Sequence, residues 1–335
     1  MSKLSGFERA GRVGIALLVT VLAAVVGWIL FVETPGSTAE LLGVLFALVA
    51  VVIALRIGGN IAQSVFPDYN VAEVGVEGPI TRDGGGGVPI SAPGTPGADE
   101  IVDLIEDADA DDNAEALMLR LNTPGGAVVP SDDIRLAAKR FDGPTVAYAT
   151  DVCASGGYWI ASGCDELWAR EGSVVGSIGV RGSRMTAADL LEKAGIEYEQ
   201  LTAGEYKEAG VPFTEMEEEE REYLQGLIDD YYDQFVDTVA DGRSMDADLL
   251  RETEAKVFLG EQAAEMGLVD ELGTQDDVEE RLQELLDKEV ETTELEPTLS
   301  VAERFRAGAE RVAYAVGAGV ASNFVDADGE FQFRV

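Results

Sequence analysis

The sequence contains no histidine, and its 335 residues include only two cysteines and six lysines. Without histidine, a Ser-His-Asp triad, a Cys-His pair and a metal held by imidazole are all excluded. Cys153 and Cys164 are too few for a disulfide framework and form no CxxC pair, so we expect no zinc site. Free cysteines are usually small buried residues, and we expect that of both. No motif of the chain predicts a cofactor or a metal.

Basic residues are scarce, because 24 lysines and arginines face 63 acidic residues and leave a formal net charge of −39. A surface this acidic repels nucleic acid, so we expect no nucleic-acid partner. The hydrophobic fraction of 46% is high enough for a folded core. An acidic, lysine-poor surface is typical of proteins that work in high salt, where screening relieves self-repulsion. We therefore expect a halophilic protein. The alternative is an acidic protein that works at ordinary salt concentrations.

Two apolar runs without charged residues stand near the N-terminus. Val13–Val32 has twenty residues, enough to cross a hydrocarbon core of about 30 Å as a helix. It is too long for the apolar region of a signal peptide and lacks a convincing cleavage site. Leu41–Leu55 is shorter, but reaches Gly58 if Arg56 snorkels. We predict a transmembrane hairpin over residues 13–58, with membrane lipid as its partner.

The basic residues around these runs predict their orientation. Lys3, Arg9 and Arg12 precede the first run, the connecting loop has no basic residue, and Arg56 follows the second run. The positive-inside rule then places residues 1–12 and the main domain in the cytoplasm, on a multi-pass protein of the cell membrane. If the second run does not span, the main domain lies outside.

The rest of the chain divides by composition. Residues 59–98 contain a predicted strand at 71–80 and a Gly/Pro-rich linker at 83–97. Residues 99–273 alternate between strands and helices, which predicts an α/β domain with a parallel sheet covered by helices. Residues 274–335 are expected to form a helical extension. Within it, 301–320 would be an amphipathic helix that packs on the domain or a neighbouring subunit, or lies on a membrane surface.

Within the domain, the patterns predict individual elements. The predicted strands are 116–122, 145–150, 166–169, 174–180 and 196–201. The predicted helices are 101–108, 131–140, 185–194, 217–242 and 260–266, with a further helix beginning at ASGG. In this scheme Ser131 begins its helix as the N-terminal residue.

Ser155 is the candidate nucleophile, because it lies in CASGGYW between a predicted strand and a predicted helix. Since histidine is absent, its general base would be Asp, Glu, Lys or Tyr. A lysine amine serves when an apolar setting lowers its pKa towards neutrality. Lys207 is the unusual lysine, because it lies in a Gly-bounded loop next to Tyr206, whereas most of the others are solvated or late in helices. A surface loop charge is the plain alternative for Lys207, and Lys256 is ambiguous.

Two glycine-rich stretches also follow predicted strands. Gly125 and Gly126 come just after LRLN, and Gly156 follows Ser155. Open α/β folds hold ligands at the carboxyl ends of their strands, and glycine lets backbone N–H groups approach an oxyanion. Each stretch alone could be an ordinary turn or a close helix–strand contact. Both together in one domain favour a site.

Five blocks in this order, LRLNTPGGAV, CASGGYWIASGCDELWA, VVGSIGV, GEYKEAGVPFTEMEEEE and FLGEQAAEMGLVDELG, resemble the signal peptide peptidase A (SppA) family. The resemblance covers Val71–Gly273 and implies a membrane-anchored serine protease on a ClpP/crotonase-like fold of repeated β-β-α units. It implies Ser155 as nucleophile, Lys207 as general base and Ser177 as the hydroxyl that orients the lysine amine. Gly126 and Gly156 match the oxyanion donors, although either glycine of the TPGG pair could serve.

The resemblance also implies substrates, assembly and alternatives. Family substrates are residual signal peptides, and family members form homo-oligomeric rings, with the dyad completed within one subunit or across two. The acidic composition suggests a haloarchaeal member. Alternatives are a regulatory membrane protease of the NfeD/stomatin-cleaving type, a crotonase-like acyl-CoA enzyme and a catalytically silent membrane scaffold. Departures from the family pattern are Trp159, Cys164 and Thr214; none removes a dyad group, so we expect the chemistry to be kept and the pocket to differ.

Overall fold

The computed structural model describes residues 69–84 and 96–297, together with four isolated helical positions of the first apolar run, Gly14, Leu18, Val21 and Val25. Apart from those four positions, the hairpin predicted at 13–58 lies outside the described residues. So do most of the linker and the amphipathic helix predicted at 301–320. Among the described residues, no helix is long and apolar enough to cross a membrane.

The described residues form alternating strands and helices, as the sequence predicts. The strands are β1 (Val71–Glu77), β2 (Ala116–Thr123), β3 (Thr145–Ala154), β4 (Glu166–Ala169), β5 (Val174–Gly176), β6 (Val257–Leu259), β7 (Glu271–Leu272) and β8 (Thr292–Leu295). The helices are α1 (Ala98–Asp109), α2 (Val128–Arg140), α3 (Gly156–Ala161), α4 (Ala188–Lys193), α5 (Glu218–Arg243), α6 (Ala247–Glu252), α7 (Gly260–Glu265) and α8 (Gln275–Leu286).

The chain divides into two compact units. The described part of the smaller unit comprises 69–72, Asp111–Ala116 and Glu279–Thr293. Asn70 joins these segments: its N–H and side-chain amide donate to the carbonyls of Glu291 and Glu289, each at 3.0 Å, and its own carbonyl accepts from the N–H of Glu115 at 2.9 Å. The larger unit comprises Glu73–Ala110, Leu117–Val278 and residues from Glu294 onward. It contains every residue that the sequence predicts for the site.

The sheet has the strand order β6-β5-β3-β2-β1-β8, with β4 paired to β3 and β7 paired to β4. Strand β3 runs parallel to β2, β4 and β5, which confirms the parallel pairing predicted for these units. The antiparallel strand β6 makes the sheet mixed. Leu117–Leu119 and Leu121 of β2 are completely buried, as expected for a strand covered on both faces.

Strand β3 changes partner along its length, and this change positions the site. Residues 146–149 pair with β4, whereas residues 152–154 pair with β5. Between them the register with β2 slips, because β3 carries extra residues there. The buried hydroxyl of Ser173 lies 2.9 Å from the carbonyl oxygen of Ala149 and 2.7 Å from that of Thr150, where it supports the slip. The carboxyl ends of β3 and β5 therefore lie side by side.

Several predicted elements differ in the structure. Helix α2 begins at Val128 rather than at Ser131, so Ser131 is not its cap; the Ser131 hydroxyl is buried inside the helix and donates to the carbonyl of Ala127 at 2.9 Å. The strand predicted at 174–180 stops at Gly176, where φ becomes positive. The strand predicted at 196–201 is an exposed loop, because no neighbouring strand pairs with it. In the described part of the extension predicted to be helical, α8 is a helix, whereas residues 292–295 form the strand β8.

Candidate active site

Ser155 occupies the sharp turn between β3 and α3. Its backbone has φ 53° and ψ −118°, a conformation that residues other than glycine rarely adopt. The Ser155 N–H donates to the carbonyl of Gly176 at 2.9 Å, and its carbonyl accepts from the N–H of Trp159 at 2.9 Å. The side chain is half-buried, lines a cavity, and has no hydrogen-bond partner among the described residues. Such strand-to-helix turns expose nucleophilic serines in other α/β enzymes.

The glycine loop after β2 is held in place by Thr123 and Ile80. The buried Thr123 hydroxyl donates to the carbonyl of Gly78 at 2.6 Å and accepts from the N–H of Gly125 at 3.0 Å. The Ile80 N–H donates to the carbonyl of Gly125 at 3.1 Å, and the Ile80 carbonyl accepts from the N–H of Ala127 at 2.9 Å. In this parallel bridge the N–H of Gly126 points away from Ile80.

The two glycine stretches touch each other, and no side chain fits between them. A Cβ on Gly125, whose φ is +88°, would lie 2.4 Å from the Gly156 nitrogen. A Cβ on Gly156 would lie 2.5 Å from the Ser131 hydroxyl and 3.1 Å from the Gly126 nitrogen. Among the described residues, no acceptor takes the N–H of Gly126 or of Gly156. Two unoccupied donors beside Ser155 are what an oxyanion hole requires.

Ser177 stands beside Ser155. It directly follows β5, and the pairing of Ala154 with Gly176 brings the two serines to the same sheet edge. Its φ is also 53°, and its N–H donates to the carbonyl of Lys256 at 2.8 Å. The same cavity is lined by Ser177, Ser155, Gly126 and Gly156, so the structure brings together four of the five predicted site residues.

Lys207 is the fifth, and the structure does not bring it to the others. It lies in an exposed turn in which its N–H donates to the carbonyl of Gly204 at 3.2 Å, and it does not line the cavity. Lys256 flanks the cavity, but its Nζ lies 2.5 Å from a carboxylate oxygen of Glu254 and lowers the pKa of that carboxyl by hydrogen bonding. The Lys256 amine is therefore engaged by a carboxylate rather than directed at Ser155. Within one chain, no lysine, aspartate or glutamate among the described residues lines the cavity of Ser155.

The cavity has a volume of about 720 Å³ and a largely apolar lining. Trp159, one of the departures from the family pattern, lines it together with Phe235, and their ring centroids are 4.7 Å apart. The Trp159 indole N–H donates to Asp132 at 2.8 Å, and Asp132 also pairs with Arg135 at 2.8 Å. These contacts fix the indole, so the pocket next to Ser155 has a rigid aromatic wall.

The other departures, Cys164 and Thr214, do not line the cavity. Cys153 and Cys164 are free and buried, as predicted, and burial raises the pKa of the Cys164 thiol to about 12. Burial also raises the pKa of Cys153, so both remain thiols and neither is a nucleophile at neutral pH. The carbonyl of Thr214 accepts a hydrogen bond from the Arg184 guanidinium.

Sequence reasoning missed three residues of this site. Thr123 adjoins the recognised TPGG stretch, but nothing local indicates that its hydroxyl holds the loop. Ile80 reaches the loop through a backbone pairing over more than forty residues of chain, which no local pattern reveals. Arg181 lines the cavity, and only its position just after GSIGV could have indicated this.

Comparison with known proteins agrees with this geometry. Residues 137–290 match the sequence model of Peptidase family S49, a range that includes Ser155, Ser177 and Lys207. A relative named "Putative protease MJ0651", from Methanocaldococcus jannaschii, is 38% identical over 190 residues, 55% of this chain and 60% of that protein. "Serine protease SPPA, chloroplastic", from Arabidopsis thaliana, is 32% identical over 210 residues, 61% of this chain and 30% of that protein. The chain thus spans less than two thirds of the length of these relatives.

A solved structure, the 1510-N membrane-bound stomatin-specific protease, resembles the fold with a TM-score of 0.42 and 17% identity, over 69% of this chain and 99% of that one. A similarity this low does not indicate a shared function. The family match and the SppA-type relatives are independent of it. From them, residues 137–290 match peptidase family S49, and SppA-type serine proteases are among the relatives of this chain.

Proposed function

We propose that this chain is a serine endopeptidase in which Ser155 is the nucleophile. The observation that carries the proposal is the strained turn at Ser155, beside two backbone N–H groups without acceptors, Gly126 and Gly156. The Ser155 Oγ attacks a peptide carbonyl while a base takes its proton, and the two N–H groups hold the oxyanion. The base returns the proton to the leaving amine. Water then hydrolyses the acyl-enzyme.

Lys207 is our proposed base, supplied by a neighbouring copy of the chain. Three observations support this. The cavity has no base of its own among the described residues, Lys207 is exposed, and the segment around Lys207 is also largely exposed. Ser177 lies beside Ser155, where its hydroxyl would orient the incoming amine. A lysine amine that is buried in an apolar cavity is easier to deprotonate, as a neutral base requires, and the cavity of Ser155 has a largely apolar lining.

Exposed apolar side chains in the segment around Lys207 support the homo-oligomer. Met185 and Leu201 are 88% and 93% exposed, which is unusual for large apolar residues. The same segment exposes Leu190, Ile196 and Phe213. Burying such side chains against a second copy would be favourable, and it would carry Lys207 towards the second copy's cavity.

The predicted hairpin at 13–58 would anchor the enzyme, with the catalytic domain on the cytoplasmic face. Anchoring places the cavity close to peptides that leave the bilayer. Its apolar wall, with Trp159 and Phe235, suits apolar side chains. We therefore propose membrane-derived peptides, including residual signal peptides, as the substrates.

The proposal is tested by cleavage of an apolar fluorogenic peptide by the full chain in detergent and molar salt. We expect Ser155→Ala to lower kcat by at least about a thousandfold, because no other described group can attack from that position. Ser162→Ala is the matched control: Ser162 is a buried serine just after α3 that does not line the cavity, and its hydroxyl donates to the carbonyl of Trp159 at 2.6 Å. Near-normal cleavage by folded Ser155→Ala would show that Ser155 is not the nucleophile.

A further inference from the structure

The cavity of Ser155 differs in charge from the rest of the protein. The chain has 63 acidic residues, yet no aspartate or glutamate occurs among the described residues that line the cavity. The charged side chain in that lining is Arg181. The described lining of the cavity therefore carries one positive charge and no negative charge, on a molecule with a net charge of −39.

Arg181 is exposed and has no carboxylate partner among the described residues. Most arginines of the described part of the chain do form ion pairs with carboxylates, namely Arg82, Arg120, Arg135, Arg140, Arg221, Arg243, Arg251 and Arg281. In a protein with so many carboxylates, an unpaired guanidinium at a cavity is therefore notable. Its donors are free for a ligand.

Two acidic groups that adjoin lining residues of the cavity are already engaged. Asp132, behind Trp159, pairs with Arg135 at 2.8 Å, and Glu254, next to the lining residue Ala255, pairs with Lys256 at 2.5 Å. Each pair is locally neutral, so neither compensates the charge of Arg181. An anionic group that enters the cavity would meet one uncompensated cation.

The position of Arg181 along the chain limits its distance from Ser177. It follows Ser177 by four residues, and an extended chain spans at most about 3.3–3.6 Å per residue, or roughly 14 Å here. A bound peptide in extended conformation has the same rise per residue. Because Ser155 and Arg181 also line one cavity of about 720 Å³, a peptide group contacted by Arg181 would lie within about four residues of the scissile bond.

We propose that Arg181 is a specificity-determining residue that binds a carboxylate of the peptide substrate within about four residues of the scissile bond. This rests on the proposed peptidase function. The planar guanidinium can hold both oxygens of a carboxylate, whether that of an acidic side chain or that of a peptide C-terminus. The acidic surface elsewhere repels such peptides, so Arg181 would select them only at the cavity.

The experiment measures kcat/KM of the full chain for two series of peptides that share one apolar sequence. In the first series, Asp is compared with Asn at each of the four positions on either side of the scissile bond. In the second, a free C-terminal acid is compared with the amide. We expect wild type to favour the carboxylate member of at least one pair by about three- to tenfold, less in molar salt. The series that discriminates identifies which carboxylate is bound.

The variants assign this preference to Arg181. Arg181→Gln should remove it, and Arg181→Lys should retain part of it. Arg221→Gln makes the same change in net charge on an exposed face of α5 outside the cavity lining, and should leave the preference unchanged. A preference that survives in Arg181→Gln, or that Arg221→Gln removes equally, overturns the proposal. So does an Arg181→Gln effect on the oligomeric state alone, because Arg181 would then pair with a second copy.

Failure of the proposed function would look different. If Ser155→Ala cleaved these peptides as fast as wild type, the peptidase assignment itself would fall. If cleavage depended on Ser155 but wild type showed no carboxylate preference in either series, only the role of Arg181 would fall.

Discussion

Ser155 and Ser177 share a backbone conformation with φ 53°, and both end strands that meet at the same edge of the sheet. A non-glycine residue in this region costs about 1–3 kcal/mol, which the surrounding structure must offset. Here the N–H of Ser155 donates to the carbonyl of Gly176, and that of Ser177 donates to the carbonyl of Lys256. These bonds fix the turn without any contribution from substrate, so the two hydroxyls are positioned in advance.

At the residue scale, Gly125 is the glycine of the TPGG loop that combines positive φ with close contact to Gly156. Gly125→Ala places a methyl group at φ +88° and 2.4 Å from the Gly156 nitrogen. The loop must then move away from Ser155, and we expect kcat to fall by about a hundredfold or more, the cost of losing an oxyanion donor. Peptide cleavage and circular dichroism measure activity and folding.

The matched control is Gly267→Ala, because Gly267 also has positive φ, at +75°, but a Cβ there meets nothing within 4 Å. Gly267→Ala should lose stability only through its positive φ, without a steric clash, and should keep its activity. Equal losses of activity in both variants would contradict an oxyanion role for the loop.

Local sequence patterns identified some of these residues and not others. The SGG and TPGG stretches are recognisable from the local sequence, because glycines mark turns and places where backbones approach closely. The hydroxyl of Thr123 and the backbone of Ile80 act through pairings between distant segments, so no local pattern contains them. The role of Lys207 stays a prediction, because in one chain it does not line the cavity.

At the scale of elements, β3 explains why the site could be only partly predicted. Its apolar pattern predicts a strand that ends at Thr150, whereas the strand continues to Ala154. The continuation depends on the exchange of β4 for β5 as neighbour, supported by Ser173. This pairing joins residues that are distant in sequence. Sequence periodicity therefore predicts that a strand exists more reliably than it predicts the residue at which the strand ends.

A buried hydrogen bond joins helix α3, which begins next to Ser155, to the loop between α7 and β7. The completely buried Tyr158 donates its hydroxyl to the carbonyl of Leu268 at 2.7 Å. Tyr158→Phe leaves that carbonyl without its partner, and we expect the free energy of unfolding to fall by about 1–2 kcal/mol. Urea unfolding in molar salt measures the change.

Tyr231→Phe serves as the control, because Tyr231 is 41% exposed on α5 and removal of its hydroxyl should change stability little. If both variants were equally stable, the Tyr158 bond would contribute nothing to holding α3 in place.

At the scale of the whole molecule, charge is the dominant feature. A net charge of −39 repels itself across the surface, and salt shortens the range of that repulsion. Raising KCl from about 0.1 M to about 2 M should increase the free energy of unfolding by at least about 1 kcal/mol. Chemical unfolding at each salt concentration measures it, with sucrose at matched osmolality as control. Stability that does not change with salt would contradict the halophilic prediction.

Assembly is the other property of the whole molecule, and composition could not reveal it. Two structural observations bear on it: large apolar side chains around Lys207 are exposed, and no base occurs among the described residues that line the cavity of one chain. Together they lead to the central claim, that Ser155 of one copy and Lys207 of another form one site.

Mixing two inactive variants tests that claim most directly. Ser155→Ala and Lys207→Ala are each prepared as the full chain, assayed alone, then mixed in equal amounts under conditions that allow subunit exchange. Each should be inactive alone, and the mixture should regain about one quarter of wild-type activity, because random exchange pairs an intact Ser155 with an intact Lys207 at one interface in four. A mixture that stays inactive, or a Lys207→Ala variant with near-normal activity alone, would contradict the shared site.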